Sequence, residues 1–387
     1  MTRPASLSGA LATIAAALIA GCGTAAPAAH APAAQVRGSG APLLATSLVT
    51  PAGTWAVVVM GGTAASHNNF WQLFIRPAGT SRWRLVTPPG VPDNGGLVVA
   101  GGGGQSVATA LRPSQYLTFT PLTRTTDGGH NWSSLGPLDA ALANTPDALS
   151  AAPGSGRLLA LLTDGTIKAT APGSAAWHTL VTRHMLAITP TGRRCRLTGL
   201  AAVSFTPAGT PIVAAHCASP GVAGILAASN GTWQAAGPAV PAALARLHIT
   251  VLRLTRTGNA TTALLAAGTG PGASILAAWS ADGRHWALSP PFRVHGAALT
   301  SASFGPGGAA AVVMTGHHGA VITMGQAWKA LPDLPPGTAT LAPGPAGTFQ
   351  ALAVHRATLT IWQVSAAGTA WVKTQAIGVP IQYGSSG

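Results

Sequence analysis

Side chains able to do acid–base chemistry are few. The chain has no Glu, and its acids are Asp93, Asp127, Asp139, Asp147, Asp164, Asp282 and Asp333. Glycosidic hydrolysis needs two carboxylates flanking the scissile bond, so only pairs of Asp could serve. Each Asp sits in a turn-like context, as in Pro92-Asp93-Asn94-Gly95-Gly96 or Thr163-Asp164-Gly165-Thr166, where its side chain would cap backbone N–H groups. The two tyrosines are Tyr116, in a run of strand character, and Tyr383, near the end. His317-His318, between Gly316 and Gly319, reads as an exposed hairpin turn. A metal there would need ligands from elsewhere, and none is identifiable, so neither metal nor cofactor is expected. The glycine run 101–104 has no following Lys-Ser/Thr and no helix, so it is not a phosphate loop. Arginine offers more. Segment 182–196 carries Arg183, His184, Arg193, Arg194 and Arg196, and guanidinium presents a planar fork to carboxylate or phosphate. The segment reads either as a contact for an anionic partner or as a solvated basic loop.

Charge extends that theme. Lys and Arg number 21 against 7 acids, a formal +14, although charged residues are only 7% of the chain. A basic chain attracts polyanions. Nucleic acid is not expected, because base-stacking aromatics amid Lys/Arg runs are absent. What remains is either attraction to anionic lipid headgroups or cell-wall polymers, or a charge that is only compositional.

The amino end narrows the compartment. Met1 to Arg3 is positive, an apolar run follows to Ala20, and Ile19-Ala20-Gly21-Cys22 closes it. The last four residues resemble the lipobox of exported bacterial lipoproteins. That resemblance implies a signal peptide over 1–21, a diacylglyceryl thioether on Cys22, and a protein anchored on the extracytoplasmic face of the cell membrane. A spanning helix would want about 20 apolar residues, more than this run holds. Residues 22–41, rich in Ala and Pro, read as a flexible tether. In an oxidising compartment Cys195 and Cys217 favour one disulfide over two separate buried thiols. They flank a hairpin of two strand-like runs, 197–206 and 210–216.

Elements that must position these residues are short β-type runs, among them 54–60, 158–162, 211–215, 311–314 and 349–354, separated by Gly, Pro and Asn turns. Such regular spacing means a sandwich, barrel or propeller. A recurring tryptophan discriminates. Trp83, Trp132, Trp177, Trp233, Trp286, Trp328 and Trp371 lie about 42 to 56 residues apart, near the length of a four-stranded propeller blade. Before Trp132 stands Thr125-Thr126-Asp127-Gly128-Gly129-His130-Asn131. Before Trp286 stands Ser280-Ala281-Asp282-Gly283-Arg284-His285. Both resemble the Asp-box of BNR/sialidase-like propellers, Ser/Thr-x-Asp-x-Gly-x-x-Trp, the second one residue short. Weaker copies precede Trp233 and Trp371.

The resemblance implies an all-β, roughly seven-bladed propeller of four-stranded antiparallel blades over 42–380, with a tail over 381–387. It places Thr125, Asp127, Gly129, Trp132, Ser280, Asp282, Gly283 and Trp286 in structural turns between third and fourth strands. Trp71, Trp279 and Trp362 would then lie on third strands. Ring closure is expected to use one terminal segment to complete a blade with the other, since free edges invite association. Sialidase chemistry is not implied, because that family pairs a Tyr nucleophile with a Glu and there is no Glu here. The functional expectation is a non-catalytic binding or scaffold module, in architecture similar to the BNR-type photosystem II assembly factor. Its partner would be an envelope protein or an anionic cell-wall polymer. The alternative is a divergent carbohydrate-active enzyme using Asp residues on the face opposite the box turns.

Overall fold

Strands form where Val, Leu, Ile and Ala run together, and those runs are buried on both faces. The stretches Leu158–Leu161, Ser274–Ser280 and Ala310–Met314 are buried at every residue. A strand with a neighbouring sheet packed on each side has no solvent face, so apolar and polar residues need not alternate along it. The computed structural model describes residues 43, 45–61, 69–89, 96–112, 118–305, 308–323, 325–344, 348–364 and 369–380. Cys22, Asp93, Tyr116, Tyr383, and the segments expected to be signal, tether and tail lie outside them. Among the described residues no helix is long and apolar enough to cross a membrane.

Seven small antiparallel sheets form a ring, a seven-bladed β-propeller. Blade 1 contains β1 (Thr46–Thr50), β2 (Gly53–Gly61), β3 (Asn69–Pro77) and β4 (Arg84–Leu85). Blade 2 contains β5 (Leu97–Gly103), β6 (Ser106–Leu111), β7 (Thr120–Thr125) and β8 (Ser133–Leu138). Blade 3 contains β9 (Leu149–Ala151), β10 (Leu158–Leu161), β11 (Thr166–Thr170) and β12 (Trp177–Thr182). Two short helices follow, α1 (Arg183–Ala187) and α2 (Pro190–Cys195). Blade 4 contains β13 (Leu197–Phe205), β14 (Pro211–Cys217), β15 (Ile225–Ser229) and β16 (Thr232–Ala235). Blade 5 contains β17 (Ile249–Thr257), β18 (Ala260–Ala267), β19 (Ser274–Ser280), β20 (Ala287–Leu288) and β21 (Phe292–Arg293). Blade 6 contains β22 (Leu299–Phe304), β23 (Ala310–Met314), β24 (His318–Ile322) and β25 (Lys329–Ala330). Blade 7 contains β26 (Thr338–Pro343), β27 (Phe349–His355), β28 (Thr358–Val364) and β29 (Trp371–Gly378).

Every blade is a meander of consecutive strands, with one departure from four. In blade 5 the outermost strand is broken, and β20 and β21 pair with successive parts of β19. The first strand of each blade lines the axis. Connections between blades and second-to-third turns therefore share one face, called here the connection face. First-to-second and third-to-fourth turns share the other, the hairpin face.

The core lies between blades. One buried cluster joins blades 1 and 2 through Trp55, Ile75 and Val107; another joins blades 7 and 1 through Phe74, Leu352 and Ile361. Each large side chain so buried contributes about 1.5–3 kcal/mol of transfer free energy.

Among the described residues the ring does not close by sharing strands between its ends, contrary to expectation. β29 pairs with β28 along its own blade and β1 with β2, so the first and last described strands each stay in their own sheet. Side chains make the seam instead. The Trp83 indole donates to Gln350 Oε1 at 2.8 Å, and the Gln375 amide bonds both the N–H and the carbonyl of Trp83. Arg76 donates to the Pro343 carbonyl at 2.7 Å. The outermost strands β4, β20 and β25 are only two residues long. Short outer strands limit edge-to-edge association without a shared blade.

Candidate functional site

Between β12 and β13, on the connection face, the chain makes a built structure rather than the loop the sequence suggested. Thr182 caps α1, its hydroxyl accepting from Met185 N–H. Thr189 caps α2, its hydroxyl accepting from Gly192 N–H, with Pro190 in the first turn. Both are N-cap residues of the preferred kind, and Pro suits a first helical turn. The helices cross at Gly192, where any Cβ would lie 2.0 Å from the Leu186 carbonyl oxygen, so only glycine fits. Leu186 is buried beneath them. At the far end Cys195 forms a disulfide with Cys217, the last residue of β14. Backbone bonds from Ala218 to Arg196 and from Ser219 to Cys195 reinforce that anchorage. The insert is thus welded to blade 4.

Its outer surface is basic. Arg183, His184, Arg193, Arg194 and Arg196 are all exposed. Among the described residues the ion pairs are Arg253–Asp147 and His285–Asp282, and neither touches the insert. Asp164, in the turn whose Gly165 carbonyl accepts from Arg183 N–H, directs its carboxylate inward to Thr166 N–H and hydroxyl at 2.7 and 3.0 Å. In sequence no acid occurs between Asp164 and Asp282. Two apolar side chains interrupt the arginines: Met185 is 51% exposed and Ile188 56%. The sequence supplied the arginines. The helices went unread because five and six residues are too few to show periodicity, although Thr189-Pro190 is a helix-start signal.

Asp147, expected on the connection face, belongs instead to the axis. It is buried, and its carboxylate accepts from Arg253 Nε at 2.7 Å, Arg253 Nη2 at 2.9 Å and Leu254 N–H at 3.0 Å. Arg253 also donates Nη1 to the Ala302 carbonyl. The pair therefore crosses the channel from the start of blade 3 to blades 5 and 6. Arg112 holds the same connection through Asn144 and the Thr145 carbonyl. Burial pushes its guanidinium down to about 10, against the pull of Asp147. A cavity of about 210 Å³ opens from this bridge toward the hairpin face, past Thr50, Gly104 and Gly258. Among the described residues Asp147 is the only carboxylate lining it. A second cavity of about 710 Å³ on the hairpin face, lined by Trp279, Asn259 and His285, has no carboxylate lining it. Asp139 and Asp333 are exposed in separate inter-blade connections. His317 takes the left-handed position of an exposed turn, and glycines 101–103 lie inside β5.

The two Asp-containing turns sit on the hairpin face. Thr125 hydroxyl donates to Asp127 Oδ1 and accepts from Gly129 N–H. Asp127 Oδ1 also takes His130 and Asn131 N–H at 3.0 and 2.9 Å. Asp282 is held likewise by Arg284 N–H, His285 N–H and Ser280. Gly129 and Gly283 have φ of 83° and 75°, and a Cβ there would press on Val86 and Thr206 of the preceding blade. The following indoles also reach back a blade: Trp132 to the Val86 carbonyl, Trp286 to Ala236, Trp328 to Ser289 and Trp371 to Pro332. Trp71, Trp279 and Trp362 lie on the third strands β3, β19 and β28.

Hydrogen bonds from Asn131 and Thr125 hold the Asp127 carboxyl well below its ordinary value of 3.8, and those from His285 and Arg284 do the same for Asp282. A depressed carboxylate stabilises the fold above its unfolded pKa, and that contribution is lost as pH falls through the folded one. Melting temperature should therefore drop as pH falls from about 5 to about 2, and Asp127→Asn/Asp282→Asn should flatten that slope while lowering the melting point near neutrality. An identical slope in the variant would remove these turns from the acid response.

No protein-family model matches the sequence, and no curated protein matches it. Solved structures do. The chain is similar to a protein from Lactobacillus plantarum at 10% identity and TM-score 0.54, covering 84% of this chain and 97% of that one. It is similar to a candidate 6-phosphogluconolactonase from Bacteroides fragilis at 12% identity and TM-score 0.53, covering 84% and 95%. A candidate 6-phosphogluconolactonase from Bacteroides uniformis gives 13% and 0.52, covering 84% and 97%. At such identities the likeness establishes the fold.

Proposed function

We propose that this chain is a non-catalytic binding module, exported and held at the extracytoplasmic face of the membrane by lipid on Cys22, that recognises an anionic envelope component. One observation carries the reading: the disulfide-anchored insert presents Arg183, Arg193, Arg194 and Arg196 to solvent, and among the described residues no carboxylate is paired to them. The backbone carrying them is already ordered by the caps and the disulfide, so binding need not order it. The axis adds support, since Asp147, the only carboxylate among the described residues lining the channel, is already paired with Arg253.

The test is retention of the protein on immobilised polyglycerol phosphate at rising salt. Arg183→Gln/Arg193→Gln/Arg194→Gln/Arg196→Gln should elute at clearly lower salt than the wild type, with an unchanged melting curve. Equal elution of the two would overturn the insert as the binding surface. Anchorage is tested separately: Cys22→Ser should abolish the lipid adduct seen by mass spectrometry and release the protein from the membrane fraction.

A further inference from the structure

Exposed arginines alone would suit any polyanion, but this insert also exposes two aliphatic side chains. Met185, inside α1, and Ile188, at its carboxyl cap, are three residues apart and are 51% and 56% exposed. Residues three apart on a helix lie on the same side. Arg183 and His184 adjoin them in sequence, and Arg193, Arg194 and Arg196 follow in the companion helix. Most large hydrophobic side chains of the described residues are packed between blades. Here two are held out to solvent by a scaffold stiff enough to hide them, with Leu186 buried between them in sequence. Exposed aliphatic side chains and exposed arginines in one short insert match a boundary with acyl chains on one side and phosphate on the other.

Chain direction agrees with that match. Leu43 packs against the buried cluster shared by blades 5 and 6, and Ala45 then bridges Ser301 of β22 in parallel. The chain therefore enters the ring on the connection face, the face that carries the insert. Twenty residues lie between Cys22 and Leu43 in the sequence. An anchor at Cys22 would hold the insert within reach of the bilayer and raise its effective concentration there.

We propose that the α1–α2 insert docks on an anionic phospholipid surface, with the arginines at the phosphates and Met185 and Ile188 in the acyl boundary. This rests on the reading of the insert as an anion-binding surface and names its partner. The bilayer would then act as a second point of attachment, fixing the connection face toward the membrane and presenting the hairpin face outward.

The experiment is vesicle co-sedimentation of Ser39–Gly387, a unit containing all seven blades and every contact of the ring seam. Vesicles are phosphatidylcholine alone or phosphatidylcholine with phosphatidylglycerol, and polyglycerol phosphate in solution serves as the acyl-free control. Binding to the phosphatidylglycerol vesicles only is expected, weakening with salt. Each Arg→Gln should cost about fivefold in affinity, as for a basic side chain near an anionic surface. Met185→Ser/Ile188→Ser should cost at least about tenfold on vesicles, from the loss of two buried aliphatic groups, and nothing on polyglycerol phosphate. All six positions are exposed or part-exposed, and melting curves verify that the variants fold. Vesicle binding indifferent to Met185→Ser/Ile188→Ser overturns the lipid proposal. So does binding to polyglycerol phosphate without binding to vesicles, which leaves the anion-binding function intact. Failure to bind either probe overturns both.

Discussion

Replacing Asp147 with alanine should destabilise the protein by about 3–5 kcal/mol, the cost of breaking a buried ion pair from one side. Arg253 would remain behind, buried beside the Phe304 ring, with Nε and Nη2 stripped of their acceptor and only the Ala302 carbonyl left to it. Leu254 N–H would lose its partner as well. The damage should spread around the ring, because Asp147 also receives Val203 N–H on its own carbonyl and so touches blade 4. Urea denaturation measures the loss directly. Asp147→Leu/Arg253→Met, which removes both charges, should recover most of it, since apolar replacement of a buried pair is often neutral. An alanine variant as stable as the wild type would mean that water reaches the bridge and that the axis is wet.

Removing the disulfide should have the next largest effect. Cys195 and Cys217 are 22 residues apart, and closing a loop of that size stabilises by about 3 kcal/mol on the chain-entropy account. The covalent link holds the carboxyl end of α2, where Arg193, Arg194 and Arg196 cluster. Cys195→Ser/Cys217→Ser should therefore lower the melting temperature and raise amide exchange across 183–198. The axis strands of the other blades should keep their protection. Exchange that rose uniformly over all seven blades would show that the insert is not a local unit.

Much of the architecture was legible because propeller blades repeat. Trp83, Trp132, Trp177, Trp233, Trp286, Trp328 and Trp371 mark the period, and each lies in or just before the outer part of its own blade. What escaped reading has a common physical cause, namely contact over long sequence distance or over very short segments. Asp147 looked like one more turn residue because Arg253, its partner, is 106 positions away and nothing local distinguishes either. The seam between blades 7 and 1 depends on Gln350 and Gln375, unremarkable polar residues that no pattern singles out. Of the candidate site, charge was visible and shape was not. Arg193 and Arg194 could be read from the chain, but the crossing of two helices at Gly192 and the outward set of Met185 and Ile188 could not.

The backward reach of the indoles gives the ring a direction. Trp132, Trp286, Trp328 and Trp371 each fasten onto a blade that precedes them in the chain. During synthesis, amino end first, each latch meets a strike plate already in place. Trp83 is the exception, since Gln350 and Gln375 belong to the last blade made. Blades 2, 5, 6 and 7 can thus each fasten as they emerge, while blade 1 stays half-fastened until the end, when one clasp shuts the circle. A chain cut short before blade 7 would lack the Trp371 latch and the partners of Trp83, and would leave the apolar flank of blade 1 bare, with Phe74 and Val58 turned toward a neighbour that never arrives.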